Sequence, residues 1–155
     1  MNEREELVPE LEASLGSGNA YRVREICRRD PTLMRDFRVR IWSLLLLGRT
    51  ASGSDSQSQE DEFVPNVPCR EFQVLLNDVP RTRAKMFGKD DKAKDAMQYY
   101  LHKFCTRHNI EYKQGLNEVV APFVWMFPPT DSQKYNRLGY DLFEAFVIRF
   151  IERFY

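Results

Sequence analysis

Apolar residues recur at helical spacing along most of this chain. Leu7, Leu11 and Leu15 fall every fourth residue before Gly16-Ser17-Gly18, which predicts a short amphipathic helix with a glycine stop. Val23, Ile26 and Cys27 mark a second short helix ended by Asp30-Pro31. Phe37, Ile41, Leu44 and Leu45 follow in helical register up to Gly48, with Trp42 adding core bulk. Phe72, Leu75, Leu76 and Val79 restore the stripe, and Pro80 predicts a stop near Asp78, because the residue before a proline is pushed out of the α region. After a loop at Gly88-Lys89-Asp90-Asp91, in which either Asp can cap, Ala93, Met97, Tyr100, Leu101, Phe104, Cys105 and His108 share one face of a long helix. Asn109 suits the left-handed position at its end. Leu116, Val119, Val120, Phe123 and Phe127 line the next helix, which Pro122 kinks and Pro128-Pro129 ends. Leu142, Phe143, Phe146, Val147, Phe150, Ile151 and Phe154 form the last stripe. No alternating strand of useful length intervenes. The predicted fold class is all-α, with roughly six to eight helices of ordinary length.

Composition changes this picture in two places. From Arg49 to Pro68 the periodicity disappears into Ser, Gly, Gln and acidic residues, which predicts a solvated, mobile loop at about 49–68. The last apolar stripe runs to Tyr155 without a cap or polar tail, so a truncation at the C-terminal end is expected, since domain boundaries usually fall in polar linkers. Acidic and basic residues balance at 23 each, which argues against a general nucleic-acid binder. Cys27, Cys69 and Cys105 are too scattered for a disulfide framework or a zinc site. Met1-Asn2-Glu3-Arg4-Glu5-Glu6 has no apolar core, so no signal peptide is expected, and Val119–Phe127 is far short of the ~20 residues a membrane span needs. The expectation is a cytoplasmic protein.

Two connectors carry the candidate chemistry. Leu75-Leu76-Asn77-Asp78-Val79-Pro80-Arg81-Thr82 sets a guanidinium just past a helix end, and Tyr112-Lys113-Gln114-Gly115-Leu116-Asn117 sets a carboxamide at a helix junction. An Arg supplies a permanently charged, planar donor fork. A Gln both accepts from a water and donates to a phosphate. These are the two groups that complete a poorly assembled phosphate-hydrolysing site on a partner protein. Asp78, at a helix end whose dipole it opposes, is expected to pair with a cation and hold Arg81, with Arg83 as the other candidate.

These residues resemble a known family. Phe37-Arg38-Val39-Arg40-Ile41-Trp42-Ser43-Leu44-Leu45-Leu46-Leu47-Gly48 resembles the opening R-x-x-x-W-x-x-L-L-G pattern of TBC domains, the Rab GTPase-activating proteins. Leu75-x-x-Asp78-x-x-Arg81 resembles their I-x-x-D-x-x-R motif, and Tyr112-x-Gln114-Gly115-Leu116-Asn117 their Y-x-Q-G-M-N motif. Leu75 and Leu116 stand where Ile and Met are usual, at nearly constant volume. The resemblance implies the N-terminal part of a TBC-like domain at 37–155, preceded by a helical extension at 1–36. It implies that Arg81 and Gln114 act as catalytic fingers in trans on a Rab-family small GTPase in its GTP form. GTP and Mg²⁺ would belong to that partner, which could also recruit the chain to membranes; no cofactor of its own is expected. A non-catalytic TBC-like adaptor that binds Rab or membrane-trafficking proteins is the alternative.

The supporting residues have structural readings. Tyr112 is expected to pack and hydrogen-bond beneath its loop. Gly115 would permit the tight backbone that places the amide, and Asn117 would bond at the N-terminus of the next helix or steady the Gln114 loop. His102 is expected to be a solvated helix residue and His108 an end-of-helix residue. Neither has a Cys or carboxylate at a metal-ligand spacing, and no phosphate-binding Gly-x-x-x-x-Gly-Lys-Ser/Thr run is present.

Overall fold

The computed structural model describes residues 3–50 and 67–151. The Ser-rich and acidic stretch lies outside the described residues from 51 to 66, as does Phe154. The chain divides into two compact units, one before and one after that stretch.

The first unit follows the predicted stripes. Helix α1 (Glu3–Gly16) buries Leu7, Leu11 and Leu15, and α2 (Ala20–Arg29) buries Val23, Ile26 and Cys27. Asn19 caps α2, its side chain accepting the Arg22 N–H at 3.0 Å, which satisfies one of the helix's first donors. A one-turn helix, α3 (Leu33–Asp36), precedes α4 (Arg38–Trp42), and a π-helical turn at Ser43–Leu47 ends at left-handed Gly48. Leu33, Ile41 and Leu44 join the core of α1 and α2, with Trp42 packed half-buried against it. The predicted extension and the first predicted domain helix therefore share one interior.

The second unit holds α5 (Phe72–Asp78), α6 (Ala84–Phe87), α7 (Asp91–Arg107), α8 (Leu116–Met126) and α9 (Arg137–Phe146), with a second π-helical turn at Val147–Ile151. Asp90 caps α7 by accepting the Ala93 N–H at 3.0 Å, and Asn109 is left-handed, as its position predicts. Asn136 caps α9 through the Gly139 N–H at 2.9 Å. Helix α7 packs on α5 and α8, and α8 on α9. Their shared interior is aromatic: Phe143 meets Phe104 at 5.5 Å and Phe123 at 5.9 Å, both edge-on. Gly139 is needed there, because a Cβ would sit 2.8 Å from the Tyr100 hydroxyl and 3.1 Å from Phe127.

The all-α class holds among the described residues, with nine α-helical segments rather than six to eight. Segments α3 and α6 span a single turn each, too short to show a period. The stop at Asp78 is gentler than Pro80 predicts: Val79 stays in the right-handed α region, and the chain continues as a 3₁₀ turn through Arg81. His102 is a correction, because it is buried rather than solvated. Its Nε2 lies 3.2 Å from the Val67 carbonyl oxygen and its ring 4.6 Å from Phe72. In the last stripe Leu142, Phe143 and Val147 are buried, whereas Phe150 is exposed. No described helix is long and apolar enough to cross a membrane.

Candidate functional site

The site grows from two irregular turns of the second unit. The first begins where α5 runs out. The 3₁₀ turn Val79–Arg81 carries Pro80 near its start, where the absent N–H costs no helical bond. Thr82 then turns extended and ends the turn, its N–H reaching the Asp78 and Val79 carbonyls at 3.1 Å each. Arg83 follows in the left-handed region, at φ 44°. The second turn lies between α7 and α8. The Tyr112 N–H bonds the Arg70 carbonyl at 3.0 Å, and the Leu116 N–H closes on Lys113 at 3.1 Å. Gly115 adopts φ 106°. A Cβ there would meet nothing within 4 Å, so the backbone conformation itself calls for glycine.

The interior faces of these turns form one buried network. Asn117 is at its centre. Its Oδ1 accepts the Gly115 N–H at 3.0 Å, and its Nδ2 donates to Thr82 Oγ1 at 2.8 Å. The Thr82 hydroxyl in turn donates to the Asp78 carbonyl at 2.9 Å. The Tyr112 phenol has one proton, facing Asp78 Oδ2 at 2.9 Å and Asn117 Oδ1 at 3.2 Å. The Asp78 oxygen is the nearer acceptor. Burial pushes the Tyr112 phenol well above its ordinary range, and the Asp78 carboxylate adds to the shift.

Asp78 corrects an expectation. Its carboxylate is buried at 8 % exposure and has no cation within 4 Å among the described residues; Tyr112 is its partner. Arg81 is exposed while Asp78 points inward, so the two do not pair. Arg83 does not fill the gap either, since its Nε reaches Glu118 at 2.7 Å on the surface.

Arg81 and Gln114 are both exposed. Among the described residues neither side chain makes a hydrogen bond or ion pair. Each precedes, by one residue, a group bonded to Asn117: Thr82, which is buried, follows Arg81, and Gly115, which is exposed, follows Gln114. A cation and a carboxamide thus leave the surface from two turns fastened to the same Asn117 side chain. Tyr112 is buried and hydrogen-bonded, Gly115 is left-handed, and Asn117 bonds back to the Gly115 N–H. Thr82 is the member that sequence reasoning passed over. Its only signal was adjacency to Arg81, and a lone Thr after a helix end announces no particular bond. Among the described residues no cluster of His, Cys, Asp or Glu could hold a metal ion.

With that geometry in place, the comparisons with known proteins are brief. Residues 35–155 match the family model described as the Rab-GTPase-TBC domain. No curated protein and no solved structure matches the chain.

Proposed function

The chain belongs to the Rab-GTPase-TBC domain family, and from that premise we propose that it accelerates GTP hydrolysis on a Rab-family small GTPase through Arg81 and Gln114. The partner, in its GTP form, brings the nucleotide and Mg²⁺. Arg81 forks onto the transferring phosphoryl group and offsets the charge that builds there, the role for which a finger arginine is worth about 10³–10⁵ in rate. Gln114 accepts from the attacking water and donates to the phosphate, holding the water in line. Tyr112, Asp78, Asn117 and Gly115 carry the fingers without touching the reactants. The chain acts in the cytoplasm and reaches membranes through its partner.

One observation carries this reading: the Asn117 carboxamide joins the residue after Arg81 to the residue after Gln114, while both finger side chains stay exposed. Binding groups that have to enter another protein's pocket must be accessible and held at a fixed separation. The test is single-turnover hydrolysis across a panel of GTP-loaded Rab-family GTPases. The wild-type chain should accelerate at least one of them. Arg81→Ala should remove about 10³-fold or more of that acceleration, and Gln114→Ala on the order of 10²-fold. Helical content should be unchanged in both. Binding without acceleration would make the chain an adaptor. Equal stimulation by wild type and both variants would end the finger assignment.

A further inference from the structure

We infer that Thr82 is a positioning residue for the finger pair, its hydroxyl setting the Arg81 turn against the Gln114 turn through the Asn117 carboxamide. The inference rests on the function proposed above. Thr82 is 1 % exposed, so it cannot reach a docked partner or its nucleotide. Whatever it contributes passes through its neighbours.

The donor accounting fixes how. The hydroxyl proton goes to the Asp78 carbonyl at 2.9 Å. That leaves only a lone pair for Asn117, and Nδ2 supplies the matching donor at 2.8 Å. At the other end of the same planar group, Oδ1 receives the Gly115 N–H at 3.0 Å. Reversing the amide would set Nδ2 against the Gly115 N–H, donor against donor, and Oδ1 against a hydroxyl whose proton is already committed. Only one orientation satisfies every member. Two hydrogen bonds through one rigid carboxamide therefore separate the two turns, and the Thr82 hydroxyl selects the orientation that spans them. Thr is suited to the task, because its β-branch restricts χ1 and its bond to the Asp78 carbonyl fixes the hydroxyl direction. Since the Arg81 and Gln114 side chains bond to nothing among the described residues, their separation is set by the backbone that this bridge holds.

The test compares Thr82→Val, which keeps the shape and removes the oxygen, with Thr82→Ser, which keeps the oxygen. Each is made in the full chain and assayed for single-turnover GTP hydrolysis on a responsive Rab-family GTPase, alongside Arg81→Ala. Thr82→Val should lower the saturating rate about 10- to 100-fold, as a misplacement near 1 Å does, while the half-saturating concentration changes less than about twofold. Thr82→Ser should recover most of the rate. Hydrogen exchange at the Gly115 amide provides a readout that needs no partner. Thr82→Val should speed it about tenfold, the equivalent of one weakened hydrogen bond. Two results overturn the inference: Thr82→Val at the wild-type rate with Arg81→Ala inactive, or Gly115 exchange unchanged in Thr82→Val. The first leaves the proposed function standing. Arg81→Ala at the wild-type rate defeats the proposed function instead, and Gly115 exchange then still decides whether Thr82 sets the Gln114 turn.

Discussion

Tyr112→Phe removes one oxygen atom and leaves the ring in place, which tests one of the bonds between the two turns. In the wild type the phenol lies 2.9 Å from Asp78 Oδ2, with Tyr112 2 % and Asp78 8 % exposed. A hydrogen bond to an ionised group contributes about 1.5–3 kcal/mol, and a buried acceptor that loses its donor keeps its desolvation cost. Phe recovers part of this by not burying a hydroxyl. A net loss of about 2 kcal/mol is expected, close to a 30-fold fall in the folding equilibrium. Because the chain has two compact units, the probe has to report on the second alone. Trp42 and Trp125 are the only two tryptophans, so urea unfolding followed by Trp125 fluorescence in a Trp42→Phe background isolates the second unit. With a slope of about 1–3 kcal/mol/M, the midpoint should fall by about 1 M. A double-mutant cycle with Asp78→Ala then reads the bond itself, with an expected coupling of about 1–2 kcal/mol. A loss under about 0.5 kcal/mol together with no coupling would refute the reasoning, because the buried carboxylate would then owe nothing to the phenol.

Alkaline pH and one core hydroxyl give two further predictions. Burial raises the phenols of Tyr100, Tyr112 and Tyr140 above their ordinary value, with the Asp78 carboxylate adding at Tyr112 and Glu144 at Tyr140. A folded-state pKa raised above the unfolded value favours the protonated phenol. The stability from these groups is therefore complete below pH about 10 and declines as pH rises past it toward the folded values. Urea midpoints from pH 8 to 11, read beside phenolate absorbance, should show these phenols ionising only as the chain unfolds; seven tyrosines titrating together with no loss of stability would count against it. Ser43 is fully buried, and its hydroxyl has no hydrogen-bond partner among the described residues. Ser43→Ala should therefore stabilise the first unit by about 1 kcal/mol. A lower melting temperature in that variant would show that the hydroxyl is bonded after all.

The helices were legible in the sequence wherever an apolar face repeated for two turns or more. Leu7, Leu11 and Leu15, or Met97 through Cys105, mark their burial by spacing alone, because a packed helix has to place its apolar residues on one side. Single turns such as Leu33–Asp36 carry too few residues to show a period, and Val79 departs from the usual preference before proline. At the site, the position of Arg81 and Gln114 on connectors at helix ends was readable from the order of the chain. The wiring beneath them was not. The Thr82–Asn117 bond spans 35 residues and the Asp78–Tyr112 bond 34, and no local pattern predicts which polar group meets which across such a gap. The expected Asp78–Arg81 pair failed because charge complementarity at close spacing says nothing about which side chain the fold turns inward.

What remains is why the tie between the turns is buried. A surface tie is also present, Arg83 to Glu118 at 2.7 Å, but those side chains are 57 % and 46 % exposed. Exposed ion pairs contribute about 0.2–1 kcal/mol and weaken with salt, too little to hold two turns at a fixed separation. Hydrogen bonds among Asp78, Thr82, Tyr112 and Asn117 are shielded from water, and breaking any one strands a buried polar group. The same shielding keeps these residues away from the surface. On the proposed function, substitutions at Arg81 or Gln114 should therefore alter hydrolysis with little change in stability, whereas substitutions at Tyr112 or Asn117 should alter both, because the interior beneath the two turns is also part of what holds the second unit folded.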